Sequence, residues 1–156
     1  MMEARNFLNS DAPALAELMR EMVAFYERPL AVKGDLAQDI VKQSKKVQLI
    51  VAIERDDLAG FASMGILYPV AGLQSFAYLQ QIYVAKAHRR KGCAETIMAF
   101  IAQSCLEQGY GWMEWMTGSD NAAAQRFYEG LGATPSDKVA FEISGGALER
   151  LAARRG

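Results

Sequence analysis

The period with which apolar residues recur changes several times along the chain. In some segments they recur three and four positions apart, as on one face of a helix. The first of these segments follows Asn9-Ser10-Asp11, whose side chains are typical N-caps. Helices are therefore predicted at about residues 15–25, 35–46, 94–105, 121–130 and 148–151.

Other segments are short, apolar or alternating, and end at turn residues, which is typical of strands. The polar turn Arg55-Asp56-Asp57 separates two of them, and Pro69 and Gly72 lie in a loop before the next. Strands are predicted at residues 2–7, 47–54, 58–68, 76–85, 111–117 and 139–143. The order β-α-α-β-β-β-α-β-α-β, followed by a short helix, predicts a mixed α/β fold whose helices cover both faces of one sheet.

The composition fits one domain spanning residues 1–156. Of these residues, 51% are hydrophobic and 22% are charged, which is enough apolar material for a core. The formal net charge of −1, from 17 basic and 18 acidic side chains, gives no overall field to hold nucleic acid. No apolar run approaches the ~20 residues that cross a bilayer, and the first residues do not resemble a signal peptide. A cytoplasmic protein with no membrane partner is predicted.

Metal chemistry is not expected from the available ligands. Cys93 and Cys105 are the two cysteines, and His88 is the one histidine. They are too few for a disulfide framework, and they do not have the spacing of a zinc site. No metal is therefore predicted.

A basic turn joins the predicted strand 76–85 to the helix after it. Its residues are Arg89-Arg90-Lys91-Gly92-Cys93-Ala94. The small side chains of Gly92 and Ala94 would let an anion approach the first amides of the helix, where the helix dipole favours negative charge. The turn has neither the Gly-Lys-Ser/Thr of a P-loop nor the second glycine of a dinucleotide fingerprint. A solvated strand-to-helix turn is equally consistent with these residues taken alone.

The same turn resembles the Gln/Arg-x-x-Gly-x-Gly/Ala signature with which GNAT N-acetyltransferases hold the coenzyme A pyrophosphate. The resemblance implies a mostly antiparallel mixed sheet of six to seven strands with helices on both faces. In that family the strand before the turn splays from its neighbour and pairs with the pantetheine arm of acetyl-CoA. The implied cofactor-binding residues here are Ile82, Tyr83, Val84, Arg89, Arg90, Lys91, Gly92, Cys93 and Ala94.

A second segment, residues 121–133, resembles the family pattern Asn-x-x-Ala-x-x-Phe-Tyr-x-x-x-Gly-Phe/Ala. The resemblance implies that Tyr128 is the general acid that protonates the coenzyme A thiolate, and that Asn121 and Phe127 contact the cofactor. A tyrosine pKa near ~10 keeps that proton in place at neutral pH. By their spacing with Ala124 and Leu131, the two aromatic residues are also typical of a helix core.

The sequence departs from the family where many relatives carry a carboxylate before the turn. Gln80 and Gln81 stand there, and an amide cannot act as a general base. Glu114, on the predicted strand 111–117, is the candidate base, and it is equally suited to pairing with an arginine. Glu27, in the connection after the first helix, is a second candidate. The amine arriving already deprotonated is a third explanation.

The predicted function is transfer of an acetyl group from acetyl-CoA to a primary amine of a small molecule, such as a polyamine, an amino acid or an amino sugar. Direct attack of the amine within a ternary complex is expected. An acetyltransferase for protein or peptide amino groups is one alternative, and a non-catalytic sensor of acyl-CoA is another. A homodimer is also predicted, because many relatives pair through their sheets.

Overall fold

The computed structural model describes residues 1–154, and five strands in its first three quarters form one sheet. The strands are β1 (Met2–Asn6), β2 (Gln48–Glu54), β3 (Asp57–Leu67), β4 (Phe76–Val84) and β5 (Met113–Glu114). The helices are α1 (Ala12–Phe25), α2 (Leu36–Gln43), α3 (Cys93–Glu107), α4 (Ala122–Gly130) and α5 (Gly145–Ala152). Short 3₁₀ turns, Asn9–Asp11 and Lys86–His88, precede α1 and α3.

The sheet order follows the chain order, β1-β2-β3-β4-β5. The first four strands pair antiparallel, and β5 pairs parallel with β4. This confirms a mixed, mostly antiparallel sheet. The meander arises because tight turns, such as the one at Arg55 and Asp56 with φ of 50° and 71°, return each strand beside the previous one.

The prediction of six to seven strands is wrong for the described residues. Residues 139–143 alternate apolar and polar but form no strand, and Phe141 is 93% exposed. The predicted strand 111–117 is reduced to the two residues of β5. Alternation records a side-chain pattern, whereas a strand also requires a partner that completes its hydrogen-bond ladder.

The chain divides into two compact units. The first, Met1–Met116, contains the whole sheet and helices α1 to α3, and the second, Thr117–Gly156, contains α4 and α5. The single domain spanning residues 1–156 stays a prediction. In the described part of the chain, no helix is long and apolar enough to span a bilayer.

Helices cover both faces of the sheet in the first unit. Side chains of Phe61 and Tyr83 lie on one face and pack with Leu15 of α1 and Ile40 of α2. Residues one position away point to the opposite face, because successive side chains alternate across a strand. On that face α3 packs against the sheet.

Gly60, on β3, sets how closely α3 approaches the sheet. A Cβ atom at this position would lie 2.8 Å from Cys93 Sγ, 3.0 Å from the carbonyl oxygen of Tyr83 and 3.3 Å from Ile97 Cδ1. One of these atoms belongs to the backbone of β4, so a rotamer change cannot remove the clash. The glycine therefore brings the start of α3 against the end of β4.

Replacing Gly60 with alanine is expected to destabilise the protein by about 1–3 kcal/mol, because overpacking forces α3 or β4 to shift. Urea unfolding at neutral pH measures the loss. Gly65→Ala is the matched control, because a Cβ at Gly65 on the same strand has no heavy atom within 4 Å. Equal stability of the two variants would contradict the close approach.

An ion pair joins β1 to the turn that begins α1. Arg5 donates from Nη1 to Asp11 Oδ2 over 2.8 Å and from Nη2 to Asp11 Oδ1 over 2.9 Å. The backbone N–H of Leu8 also donates to Asp11 Oδ2, over 2.8 Å. These contacts, led by the Arg5 hydrogen bond, hold the pKa of Asp11 below its ordinary value of 3.8.

Asp11→Asn is expected to lower the unfolding free energy by about 1 kcal/mol at pH 7, a modest loss because solvent screens the 37%-exposed Arg5 side chain. A carboxyl whose pKa is depressed by folding stabilises the protein above its unfolded-state pKa. The difference should therefore be complete at neutral pH and vanish as the pH falls through the folded-state value. Denaturant unfolding at several pH values tests this, with exposed Asp56→Asn as control. A difference independent of pH would contradict the assignment.

Candidate functional site

One edge of β4 carries no partner strand over most of its length. In the described residues β5 pairs with β4 only at Ala77 and Tyr78. At the other end of β4, the N–H of Ala85 donates to the carbonyl of Ala59 on the β3 side, over 2.8 Å. Because antiparallel hydrogen bonding alternates along a strand, the backbone groups of Ile82 and Val84 point away from β3, toward the open edge.

A β-bulge at Gln80 places the backbone groups on this edge. Ser63 lies opposite Gln81, but the next residue, Met64, lies opposite Leu79, so Gln80 is the extra residue on β4. Because of the extra residue, the backbone groups that face the open edge belong to even-numbered residues after the bulge and to odd-numbered residues before it. The N–H of Ala77, which donates to the carbonyl of Trp112 over 3.3 Å, therefore points to the same edge as the groups of Ile82.

The two glutamines lie at this bulge. Gln80 is exposed, and Gln81 is half-buried with its Nε2 3.5 Å from the carbonyl oxygen of Ile82. A side-chain amide here can donate or accept a hydrogen bond, but it cannot take a proton from an amine.

The turn after β4 has the backbone of an anion site. Arg90 and Gly92 both have left-handed φ values, 62° and 80°. Helix α3 starts at Cys93 without a side-chain cap, and its first backbone hydrogen bond runs from Thr96 to Gly92. The amides of Cys93, Ala94 and Glu95 therefore precede the helical ladder. No heavy atom would lie within 4 Å of a Cβ at Gly92, so this side of the turn is open.

Glu54, at the end of β2, binds two of the basic residues. Its Oε2 lies 2.7 Å from His88 Nδ1 and 3.6 Å from Lys91 Nζ. The hydrogen bond with His88, aided by the charge of Lys91, holds the pKa of Glu54 below its ordinary value. The carboxylate thus stays charged near the turn and partly neutralises Lys91, while the side chain of Arg90 is exposed.

Cys93 lies in the core, and its side chain faces the sheet at Gly60. Burial raises the pKa of the Cys93 thiol to about 11, so it is protonated at neutral pH and is not a nucleophile. Its predicted cofactor contact would have to use the backbone amide. Among residues 1–154, no cluster of three or more His, Cys, Asp or Glu side chains could hold a metal ion.

Arg89 extends toward the C-terminal end of α1. Its guanidinium carbon lies 4.7 Å from the ring centroid of Phe25 and 5.5 Å from that of Tyr83. Nη2 donates to the Tyr83 hydroxyl over 3.2 Å, and Nε donates to the carbonyl of Val84 over 3.3 Å. The contacts of this side chain are thus with α1 and β4.

Glu21 of α1 completes this arrangement. Its Oε1 accepts two hydrogen bonds, one from the Tyr83 hydroxyl over 3.0 Å and one from the backbone N–H of Lys86 over 2.8 Å. Burial first, and then the Glu21 carboxylate, raise the pKa of Tyr83 above its ordinary value of 10.0. The hydroxyl therefore remains a donor, and the Tyr83 side chain packs on α1. The backbone groups of Tyr83 point toward β3, on the same side as those of Ala85, so the open edge of β4 does not include them.

Glu114 lies on β5 beside Tyr78 of β4. Its Oε1 accepts the indole N–H of Trp112 over 3.2 Å, and the ring of Trp112 stacks on Phe76 with centroids 5.1 Å apart. The partner of Glu114 is thus an indole rather than the arginine suggested as an alternative. The carboxylate is half-buried and oriented by that hydrogen bond.

The predicted residues of the second unit lie at and on α4. Asn121 is its N-cap, and Asn121 Oδ1 accepts the N–H of Ala124 over 3.1 Å. Phe127 and Tyr128 are both half-buried, with ring centroids 5.3 Å apart. The capping contact gives Asn121 a structural role that its residue type and position could have predicted.

Several residues that shape the turn were missed from sequence. Glu21 and Phe25 are four residues apart on α1, a spacing that puts them on one helix face, and Glu54 and Gly60 flank the β2–β3 turn. Glu54 lies far from the basic turn in the sequence, so no local signal connected the two. The contact partners themselves depend on the pairing of strands far apart in the chain.

With this geometry established, comparison with known proteins identifies the family. The model of the acetyltransferase (GNAT) family matches residues 13–133, well over half of the chain, and includes both motifs. The chain belongs to the GNAT acetyltransferase family. Members of this family use acetyl-CoA as the acyl donor.

The chain is 30% identical to the L-ornithine N5-acetyltransferase NATA1 of Arabidopsis thaliana over 76 residues, 49% of this chain. The match covers 33% of that relative, so the chain spans about a third of its length.

Solved structures support the fold. An integron cassette protein from the mobile metagenome of V. cholerae has a TM-score of 0.82 and 24% identity, with 97% of this chain and 98% of that chain covered. AAC(6')-Iy, solved with the bisubstrate analogue CoA-S-monomethyl-acetylneamine, has a TM-score of 0.75 and 18% identity, with 93% and 99% covered.

Proposed function

We propose that this protein transfers an acetyl group from acetyl-CoA to a primary amine of a small molecule. The observation that carries the proposal is the open edge of β4, which is followed, after one short 3₁₀ turn, by the glycine turn and the uncapped start of α3. An extended chain of amides ending in a pyrophosphate has the chemistry that these two features complement. Acetyl-CoA is such a ligand.

The residues present suit two parts of acetyl-CoA. Backbone groups at Ile82 and Val84 suit the pantetheine amides, because a strand edge without a partner strand binds an extended peptide-like ligand. At Val84 the free group is the N–H, since its carbonyl accepts a hydrogen bond from Arg89 Nε. The amides of Cys93 and Ala94, at the positive end of the α3 dipole, suit the pyrophosphate. Gly92 leaves the approach open. These are the cofactor contacts that we propose, with the charges of Arg90 and Lys91 beside them.

When bound, acetyl-CoA supplies a thioester that a neutral amine can attack. The first role of the protein is to hold the amine and the thioester close together in the orientation that allows attack. Most of the acceleration of such a reaction comes from this positioning. A backbone N–H on the β4 edge, near the bulge, would stabilise charge on the thioester oxygen. Tyr128 would hold a proton at its hydroxyl for delivery to sulfur.

The amine must also lose a proton, and Gln80 and Gln81 cannot take it. We propose Glu114 for this role, because its carboxylate is half-buried and oriented by Trp112. It lies next to Tyr78, at the point where β4 and β5 stop pairing, so it borders the open edge. Glu27 is exposed and lies just after α1 in a left-handed conformation, and no comparable hydrogen bond orients its carboxylate.

The small-molecule acceptor is supported by the relative that acts on L-ornithine, a compound with a primary amine. An amino group of a protein or peptide remains the alternative acceptor. Family membership and Tyr128 favour an enzyme over the acyl-CoA sensor. The homodimer and the cytoplasmic location stay predictions.

Ala94→Glu should abolish measurable acetyl-CoA binding. Residue 94 is in the first turn of α3, where a carboxylate suits the helix dipole, so folding is preserved while the pyrophosphate is repelled. Calorimetric titration compares it with the native protein and with Ala94→Gln, which has the same bulk without the charge. Ala94→Gln is expected to bind much more tightly than Ala94→Glu. Equal affinity of Ala94→Glu and the native chain would contradict the cofactor site.

Tyr128→Phe should lower kcat by about a hundred-fold, the usual scale of general-acid catalysis, with acetyl-CoA affinity unchanged. Thiol release across a panel of diamines, amino acids, amino sugars and peptides measures turnover and names the acceptor. Tyr110→Phe serves as control for loss of a tyrosine hydroxyl. Undiminished turnover in Tyr128→Phe would remove its acid role, and release with peptides alone would favour the protein acceptor.

A further inference from the structure

Arg89 differs from the basic residues that follow it in what its side chain contacts. It is stacked on Phe25, bonded to the Tyr83 hydroxyl and bonded to the Val84 carbonyl. Arg90, the next residue, is exposed and has a left-handed φ of 62°. Arg89 is exposed as well, so the difference lies in its contacts. A guanidinium with three such partners has little freedom to follow a phosphate, whereas Arg90 makes none of these three contacts.

The contacts of Arg89 connect three segments. An N–H of Arg89 donates to the Tyr83 oxygen, the Tyr83 hydroxyl donates to Glu21, and Glu21 also accepts the N–H of Lys86. The result is one hydrogen-bonded chain from the start of the turn, through β4, to α1. The ring of Phe25, on α1, stacks on the guanidinium of Arg89.

We propose that Arg89 is a positioning residue, which fixes the end of β4 and the start of the turn through Phe25 and Tyr83 instead of binding the phosphates itself. This inference rests on the proposed acetyl-CoA site. Residues 82–84 and the turn must hold their backbone groups in a fixed arrangement before the cofactor arrives. A preformed arrangement binds more tightly, because less conformational freedom is lost on binding.

Substitution of Arg89 by lysine and by methionine separates positioning from charge. Arg89→Lys keeps the positive charge, but loses the planar group that stacks on Phe25 and the fork that reaches two acceptors. Arg89→Met loses both. If Arg89 acts by positioning, both variants should weaken acetyl-CoA binding to a similar degree, about five-fold. If Arg89 binds phosphate, Arg89→Lys should retain most of the native affinity.

Arg90→Met is the charge-matched control, because it removes the same charge from the same turn without touching the stack. The loss in Arg89→Met should exceed the loss in Arg90→Met. That excess should be unchanged between low and high salt, because direct stacking and hydrogen-bond contacts between touching groups are screened little by ions. An excess that disappears in high salt would contradict the proposal.

A double-mutant cycle with Phe25→Leu tests whether Arg89 acts through the ring. Phe25→Leu should lose part of the affinity, and Phe25→Leu combined with Arg89→Met should bind no more weakly than Arg89→Met alone. Affinities are measured by calorimetry, well below the melting temperature of the least stable variant, so that a loss of stability alone would leave them unchanged. Additive losses would overturn the proposal.

Tyr83→Phe covers the case in which the Arg89 variants do not fold. It removes one oxygen from the chain of hydrogen bonds and should weaken acetyl-CoA binding about two-fold. Native affinity in Tyr83→Phe would then overturn the inference. Failure of the native protein to bind acetyl-CoA would instead refute the proposed function, so the two failures are distinguishable.

Discussion

The pairing of β4 with β5 ends after Ala77 and Tyr78, and the proposed site depends on that limit. Beyond it, β4 is held on one side by β3 while its other edge has no partner strand, although the Val84 carbonyl there accepts a hydrogen bond from Arg89 Nε. Such an edge is a liability in most proteins because it invites association with another strand. Here it is short, contains a bulge at Gln80 and ends in a charged turn, features that discourage another chain and leave room for an amide-bearing ligand.

Because β4 has no partner strand beyond Tyr78, its position there depends on packing at Gly60 and Cys93. Neither residue is expected to touch a substrate through its side chain. With one edge open, β4 is positioned by β3 and by the helices on its two faces. Close packing of α3 at Gly60 brings the helix N-terminus to the end of β4. The proposed contacts for the two parts of the ligand thus lie on adjoining elements.

Positive charge at the turn is divided among partners of different kinds. Glu54 binds His88 and approaches Lys91, and the aromatic rings of Phe25 and Tyr83 hold Arg89. An anion at this turn would therefore meet the backbone amides and the helix dipole first, with Arg90 as an exposed cation outside these contacts. Fixed dipoles bind an anion without the entropy cost of ordering long side chains.

Local chemistry in the sequence was sufficient for the elements that have short-range causes. Helical spacing located all five helices, and the turn residues separated β2 from β3 and β3 from β4. The small residues Gly92 and Ala94, placed between a strand and a helix, predicted an anion turn. The family resemblance predicted that Ile82 and Val84 contact the cofactor, which stays a prediction; strand pairing shows that their backbone groups point away from β3.

Properties that depend on distant partners were decided only by the tertiary structure. Residues 139–143 have the alternation of a strand but form none, because a ladder needs a neighbour. The direction taken by Arg89 could not be read from a run of basic residues, since it depends on Phe25, more than sixty positions earlier, and on Tyr83. The sequence by itself determined which residues have the chemistry to suit an anion, because that follows from residue type and local geometry. Packing between remote segments decided what each of these side chains contacts.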